Sequence, residues 1–213
     1  MSNVICIMGE SGSGKTTAMQ NLDHKTTFYV DCDKKGLSWK GWKDQYNKDN
    51  KNYVRTDVLD TVSLILNKVD KEFTHIKVIV IDTINALMIA DEMRRAKEKG
   101  YDKWIDLATC IWDLITTAYD YRDDLTIIFL AHTQTERDDS GYSFTRIKTS
   151  GKKLDKIVVE SKFTTVLLAK IKDGKYILET HANNSTAKSP LGAFEENEID
   201  NDIVKVLNAL QEY

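Results

Sequence analysis

The stretch ICIMGESGSGKTTAM, residues 5–19, decides the fold of this chain. Gly9, Gly14, Lys15 and Thr16 fill every fixed position of the phosphate-loop pattern G-x-x-x-x-G-K-[ST]. An apolar strand precedes the pattern and a run that favours a helix, residues 17–22, follows it, as the pattern requires. A Gly/Ser-rich loop that contained a lysine by chance would not be expected to have both the preceding strand and the following helical run. The stretch therefore predicts a loop that wraps the phosphates of a nucleotide.

Each part of this loop has an expected role. Its backbone N–H groups wrap the triphosphate of ATP, and the helix that follows points its positive dipole end at it. Lys15, expected to be an exposed loop cation, reaches the outer phosphates, and Thr16 places its hydroxyl on a Mg²⁺ ion that bridges two of them. The residues predicted to bind the nucleotide are Gly9, Glu10, Ser11, Gly12, Ser13, Gly14, Lys15, Thr16 and Thr17.

Length and composition limit the remaining possibilities. The 213 residues suffice for one α/β domain, predicted to span residues 1–213, and the net charge of −3 restricts any nucleic-acid contact to a local patch. Cysteines without C-x-x-C spacing favour free thiols and a reducing compartment. With neither a signal peptide nor an apolar run of roughly 20 residues, we expect a cytoplasmic protein with no membrane partner.

Acidic residues end two of the predicted strands. TTFYVD (residues 26–31) leads to Asp31 and Asp33, and KVIVID (residues 77–82) ends in Asp82. Because ligands bind beyond the carboxyl ends of strands in such sheets, these acids are expected near the phosphates. Asp82 is the predicted Mg²⁺ ligand. Thr83, not glutamate, follows Asp82, so a general base directly after Asp82 is missing. This favours Asp33 as the residue that polarises the attacking water. The alternative is that Asp33 is only a solvated acid in a turn.

A third buried strand, LTIIFLA (residues 125–131), delivers His132, Thr133 and Gln134 to the same edge of the sheet. A polar group at that place can sense the outer phosphate. The residues alone leave open which of the three side chains does so.

Two charged segments are candidate contacts for nucleic acid. Residues 136–151, charged and without periodicity, predict a mobile loop that carries Arg137, Arg146 and Lys148. In residues 34–55, lysines alternate with aromatic residues, a pattern that binds single strands through phosphate contacts and base stacking. The alternative for that segment is a lid-like connection whose Trp39 and Trp42 pack on the sheet.

The C-terminal part predicts an antiparallel hairpin. Strands at residues 164–171 and 175–181 are joined by Asp173-Gly174, a strong signal for a two-residue turn. These strands are expected at the edge of the sheet. A closing amphipathic helix is predicted from about residue 199 to 210.

This order of motifs resembles the RecA/RadA-like ATPase core over nearly the whole chain. More closely it resembles the small phage-encoded RecA-like ATPases grouped with single-strand annealing proteins, through FYVDCDKKGL, KVIVIDTINAL, IIFLAHTQ and AKSPLGAFE. The resemblance implies a single RecA-like P-loop NTPase domain of the α/β class. Its central sheet would be mostly parallel, flanked by helices, with the antiparallel hairpin at one edge.

The resemblance also implies roles for individual residues. Asp33 would activate water where a glutamate is usual in the family, and Gln134 would sense the phosphate, with His132 as its competitor. The loop at residues 136–150 would touch DNA. Lys188, two residues before Pro190, would reach the ATP of a neighbouring subunit in a ring or filament.

The function these features indicate is an ATP-hydrolysing phage recombination protein that binds single-stranded DNA and supports strand annealing or exchange. A phage or host single-strand-binding protein is a further candidate partner. The alternatives are a P-loop kinase of a small molecule or nucleotide, and an ATPase switch that loads a replication partner. The hairpin and Lys188 argue against the kinase, and stimulation of ATPase activity by DNA separates the two classes.

Overall fold

A computed structural model describes residues 1–100, 102–150 and 158–211. Its strands are β1 (Asn3–Gly9), β2 (Thr27–Asp31), β3 (Tyr53–Arg55), β4 (Val78–Asp82), β5 (Thr126–Arg137), β6 (Ser143–Ile147), β7 (Thr165–Lys172), β8 (Lys175–Glu179) and β9 (Glu198–Asp200). Its helices are α1 (Trp42–Gln45), α2 (Leu59–Glu72), α3 (Ile84–Arg94), α4 (Asp102–Thr117) and α5 (Ile203–Gln211). Short 3-10 turns lie at Thr17–Met19, Ala118–Asp120 and Val159–Lys162.

One sheet of order β3-β2-β4-β5-β1-β7-β8-β9 forms the centre of the molecule. The strands from β3 to β7 in this order are parallel, and β8 and β9 continue the sheet in antiparallel pairing. The predicted α/β class, mostly parallel with an antiparallel hairpin at one edge, is confirmed. Its phosphate loop, at the end of β1, therefore lies in the middle of the carboxyl edge.

Apolar side chains cover both faces of this sheet. Along β1, Cys6 belongs to the cluster that contains the buried residues of α2, α3 and α4, whereas Ile7 belongs to the cluster that contains those of α5. Because successive side chains of a strand point to opposite faces, each central strand contributes to both clusters. Continuous apolar runs are therefore required in β1, β4 and β5, which is why the sequence predicted these strands well.

The helix predicted at residues 17–22 is wrong in length. Only the 3-10 turn Thr17–Met19 forms, within a short helical segment whose Ala18 N donates to Gly14 O at 2.9 Å. Beyond it, the Asp23 carboxylate accepts hydrogen bonds from Lys25 N at 3.0 Å and from the Thr26 hydroxyl at 3.2 Å. The bond from Lys25 N to the Asp23 side chain is of a kind that competes with continuation of a helix. The expected dipole of a full helix is thus reduced to that of one turn.

The mobile loop predicted at residues 136–151 is also corrected. β5 continues to Arg137 and pairs with β6 from Thr133↔Ile147 to Arg137↔Ser143, so most of the segment is an antiparallel hairpin. Gly151 lies outside the described residues. This hairpin was not predicted from the sequence, because SFTRI in β6 is short and lacks a clear apolar alternation.

The C-terminal edge was predicted in its main features. Asp173 and Gly174 have φ of 50° and 75°, which matches the turn type expected between β7 and β8. β9 was missed, and the last helix begins at Ile203 instead of about residue 199 because Glu198–Asp200 pairs with β8. In the described ranges, the helices are all too short or too polar to cross a membrane.

Candidate nucleotide-binding site

Two glycines of the phosphate loop occupy positions that a side chain would not fit. A Cβ on Gly9 would lie 2.4 Å from Ser13 Oγ and 2.6 Å from the Ala169 carbonyl oxygen. Gly14 has a φ of 97°, and its Cβ would lie 2.7 Å from the Tyr176 ring. The fixed glycines of the motif therefore permit a tight loop packed against β7 and β8.

Lys15 lies inside this loop. Its side chain is buried, and its ammonium donates hydrogen bonds to the carbonyl oxygens of Gly9 at 2.7 Å and Glu10 at 2.6 Å. Burial lowers the pKa of Lys15 to about 8, against the opposing charge of Asp82. The expectation of an exposed cation is thus wrong, because the loop curls around the ammonium.

Asp82 is a buried acid of the site. Its Oδ2 accepts hydrogen bonds from Thr16 Oγ1 and from the Tyr29 hydroxyl, both at 2.8 Å, while its buried Oδ1 has no hydrogen-bond partner among the described residues. Burial raises the pKa of Asp82, which the two hydrogen bonds oppose. A carboxylate oxygen without a partner beside a threonine hydroxyl is an oxygen donor set of the kind that Mg²⁺ prefers. The residues present fit the ion.

Asp33 lies beside Asp82 at the same edge. Its backbone N donates to the Asp82 carbonyl oxygen at 3.3 Å, and its carboxylate forms an ion pair with Lys35. The Thr83 hydroxyl is 3.4 Å from its other oxygen, a long hydrogen bond. Asp33 therefore lies at the predicted edge of the sheet beside Asp82, and its role in polarising water stays a prediction.

Asp31 has a different role. Its buried carboxylate accepts hydrogen bonds from Gly36 N at 2.8 Å and from the Tyr53 hydroxyl at 2.7 Å. These two bonds hold the loop after β2 against β3. Asp31 therefore supports the edge of the site through the backbone that follows it.

His132 and Gln134 lie in different surroundings. His132 lines the cleft with Lys15, and its backbone N donates to the side chain of Asn85 at 2.6 Å. Burial, aided by the charge of Lys15, lowers the pKa of His132. The amide of Gln134 instead donates to Glu136 at 2.7 Å. Between the two predicted phosphate sensors, this geometry favours His132.

Lys15, Thr16, Asp82 and His132 line a cavity of about 370 Å³. Tyr176 of β8 contributes a wall that sequence reasoning missed, as does Lys35. Asn201, after β9, donates to the Gly14 carbonyl oxygen at 3.0 Å and supports the loop from the same side. The residues that line the 370 Å³ cavity are Ser11, Gly12, Gly14, Lys15, Thr16, Thr17, Lys35, Ser38, Asp82, His132 and Tyr176. Glu10 and Ser13, predicted to bind the nucleotide, line a neighbouring cavity of about 540 Å³.

Lys188 lies away from the phosphate loop of its own chain. Its backbone exchanges two 2.8 Å hydrogen bonds with Val166, three residues before Ala169, which pairs with Gly9. Lys188 is thus held toward the amino-terminal half of β7, and the cleft lining does not include it. Its expected action on a neighbouring subunit stays a prediction.

Arg146 is not an available surface cation. Its side chain is only 9% exposed and forms ion pairs with Glu136 at 3.2 Å and with the buried Glu160 at 3.6 Å. Glu160 also accepts a hydrogen bond from Ile147 N at 2.6 Å. The predicted DNA contact by Arg146 is therefore wrong, because β6 pairing turns this residue inward. Arg137 and Lys148 are exposed.

In the segment 34–55, the tryptophans pack as the lid-like alternative predicted. Trp39 contacts Tyr29 and Tyr46 edge-on, with ring centroids 6.4 Å and 6.0 Å apart, and Trp42 lies 5.4 Å from Tyr53. Both are partly buried against the sheet. The exposed lysines at 40, 43, 48 and 51 remain on the surface of this segment.

Comparison with known families gives the same assignment as the motif. A family model described as AAA domain matches residues 1–191. The chain belongs to the AAA domain family. With its phosphate loop and RecA-like sheet, this AAA domain protein is a P-loop NTPase. The DNA, recombination and phage aspects of the resemblance remain predictions.

Among solved structures, a KaiC-like protein from the hyperthermophilic archaeon Pyrococcus horikoshii OT3 is similar to the AAA domain protein. The two share 15% identity, and the match covers 83% of this chain and 77% of that one with a TM-score of 0.52. At this identity the likeness shows the fold alone. A comparison with curated proteins finds no significant match.

Proposed function

We propose that this AAA domain protein hydrolyses ATP with Mg²⁺ in the cleft beside Lys15 and binds single-stranded DNA in support of phage strand annealing or exchange. One observation carries the hydrolytic part. The two carboxylates Asp33 and Asp82 lie together beside the phosphate loop, one paired with a flexible lysine and one fixed by Thr16 and Tyr29.

The chain's own residues divide the work of hydrolysis. Backbone N–H groups of the loop and Lys15 bind the phosphates, while Thr16 and Asp82 would hold Mg²⁺. The bound ion would neutralise the negative charge that develops on the phosphate oxygens. Asp33 orients the attacking water, and His132 contacts the outer phosphate from β5.

In the chemical step the water oxygen forms a bond to the γ-phosphorus as Asp33 takes a proton from that water. The bond from the γ-phosphorus to the bridging oxygen breaks, and its electron pair leaves with ADP. The proton then passes to the phosphate product or to solvent. Positioning and charge stabilisation account for most catalysis in reactions of this class.

Exposed cations on the β5–β6 hairpin and directly after it support the DNA-binding part of the proposal. Lys148 N donates to the His132 carbonyl oxygen at 2.7 Å, so the start of the segment after β6 is tied to the cleft wall. Arg137 lies near the tip of the β5–β6 hairpin and donates to the Gly141 carbonyl oxygen at 3.0 Å. Single-stranded DNA bound along the β5–β6 hairpin would therefore lie near His132, the proposed phosphate sensor.

Assembly into a ring or filament completes the proposal. The edge that carries Lys188 lies away from the chain's own cleft, where a head-to-tail neighbour would meet it. A single-strand-binding protein of phage or host would present the DNA.

The deciding experiment measures phosphate release by the full chain with ATP and Mg²⁺, with and without a poly-dT oligonucleotide, with Lys15→Ala as the inactive control. We expect turnover in the wild type, stimulation by the oligonucleotide, and neither in Lys15→Ala. Turnover without stimulation, together with retention of replication proteins in a pull-down, would favour the loader. Transfer of phosphate to a small molecule instead of water would favour the kinase.

A further inference from the structure

We propose that Lys35 is a second phosphate-binding lysine supplied by the same chain, and that it neutralises Asp33 until ATP binds. This inference rests on the proposed ATP hydrolysis. Lys35 lines the same cavity as Lys15, Thr16 and Asp82. Its ammonium pairs with the carboxylate of Asp33. Thus the cation nearest to the candidate base is also a wall of the cleft.

The backbone of Lys35 is fixed on the side away from the cleft. Gly36 N donates to the buried Asp31 carboxylate at 2.8 Å, and Leu37 is buried in the core. Lys34 points its ammonium to Asp57 at 2.7 Å, outside the cavity lining. Since neighbouring residues are anchored, movement of Lys35 is restricted to its long side chain.

The side chain of Lys35 is free to exchange partners. It is 54% exposed, and exposed ion pairs contribute little to stability. A terminal phosphate carries more negative charge than a single carboxylate and accepts charge-assisted hydrogen bonds in several directions. We therefore expect the ammonium to leave Asp33 for the outermost phosphate of ATP.

This exchange has two consequences for hydrolysis. Lys35 would stabilise the charge on the phosphate oxygens from within the subunit, in addition to any cation from a neighbour. Asp33 would lose its partner and its oxygen would become available to accept the proton of the attacking water. ADP, which lacks the outermost phosphate, would leave the Lys35–Asp33 pair in place.

The test compares Lys35→Met with Lys34→Met, the matched control whose ammonium pairs outside the cleft. ATP and ADP affinities are measured by titration calorimetry with Mg²⁺. Lys35→Met is expected to weaken ATP binding about 10- to 100-fold, the size of one hydrogen bond to a charged group, and to change ADP binding less than about twofold. Lys34→Met should change neither. An equal weakening of ATP and ADP binding, or an unchanged ATP affinity, would overturn the phosphate role.

The shielding part of the proposal predicts an opposite effect at Asp33. Asp33→Asn frees Lys35 and should strengthen ATP binding while it reduces turnover. In the Lys35→Met background the same change should strengthen binding little, because the competing pair is already gone. An increase of the same size in both backgrounds would contradict shielding. Binding constants remain measurable if the wild type fails to hydrolyse ATP, so failure of the proposed function is distinguished from failure of this inference.

Discussion

Tyr29 donates a hydrogen bond to Asp82 Oδ2 at 2.8 Å, joining strand β2 to the carboxyl end of strand β4. Thr16 of the phosphate loop donates to the same oxygen at 2.8 Å. One carboxylate oxygen is thus held from two sides, and the other keeps no protein partner among the described residues. The candidate magnesium ligand is oriented before any ion arrives, which is the arrangement expected of a preorganised site.

Replacing Tyr29 by phenylalanine tests this orientation. The variant loses a buried hydrogen bond to a charged group, so we expect its free energy of unfolding to fall by about 1.5–3 kcal/mol. Its Mg²⁺ requirement for ATP turnover should rise, since Asp82 is held only by Thr16. Chemical denaturation and a magnesium titration measure the two effects. Tyr46→Phe is the control, because its ring packs 5.5 Å from that of Tyr29 without bonding to Asp82; equal effects in both variants would contradict the account.

The buried position of Arg146 predicts an effect on stability, whereas the sequence alone suggested an effect on DNA binding. Arg146→Met leaves the buried Glu160 carboxylate without its cation and should lower the free energy of unfolding by about 3–5 kcal/mol. Arg137→Met, on the exposed part of the same hairpin, should change it by less than about 0.5 kcal/mol. Urea unfolding of both variants is the measurement. If Arg146→Met is as stable as the wild type but binds DNA more weakly, the structural role assigned to Arg146 is wrong.

The DNA surface is tested by the salt dependence of binding. Arg137→Ala with Lys148→Ala should lower the slope of log affinity against log salt concentration by about 0.7 for each DNA phosphate that is no longer neutralised. Fluorescence anisotropy with a labelled single strand measures this slope. Alanine at the exposed Lys40, Lys48 and Lys51 provides the comparison for the second candidate surface. If only these changes alter the slope, the hairpin does not bind the DNA.

The proposed action of Lys188 on a neighbouring subunit is tested by mixing. Lys15→Ala and Lys188→Ala are each expected to lose turnover, and a cation supplied by a neighbour can contribute about 10³–10⁵ in rate. A mixture should regain part of the activity at concentrations where the protein assembles on DNA, because each variant provides what the other lacks. Full activity in Lys188→Ala alone, or no recovery on mixing, would exclude the role.

Motifs tied to strand ends were predictable from the sequence. Lys15, Thr16 and Asp82 follow apolar runs whose only stable place is the middle of a parallel sheet, so their meeting at one edge follows from the topology of such sheets. Asp33 was placed by the same reasoning. Each of these positions follows from a local sequence pattern and from the rule that ligands bind beyond the carboxyl ends of parallel strands.

Features that depend on pairing across strands were not predictable. The bond from Tyr29 to Asp82 requires the register of β2 against β4, and the burial of Arg146 requires that β6 pair with β5. Likewise Tyr176 reaches Gly14 only because β7 lies beside β1 and β8 lies beside β7. A single sequence carries no direct record of these long-range neighbours, and short polar strands give little periodic signal.

The measurement that tests the central claim most directly is the rate of phosphate release from ATP as a function of Mg²⁺ concentration, for the wild type, Asp82→Asn and Lys15→Ala. We predict magnesium-dependent turnover in the wild type, measurable ATP binding with sharply reduced magnesium-dependent turnover in Asp82→Asn, and neither binding nor turnover in Lys15→Ala. Thermal melting checks that all three proteins are folded. Turnover at the wild-type rate in Lys15→Ala, with the same magnesium dependence, would contradict the assignment of this cleft as the site of hydrolysis.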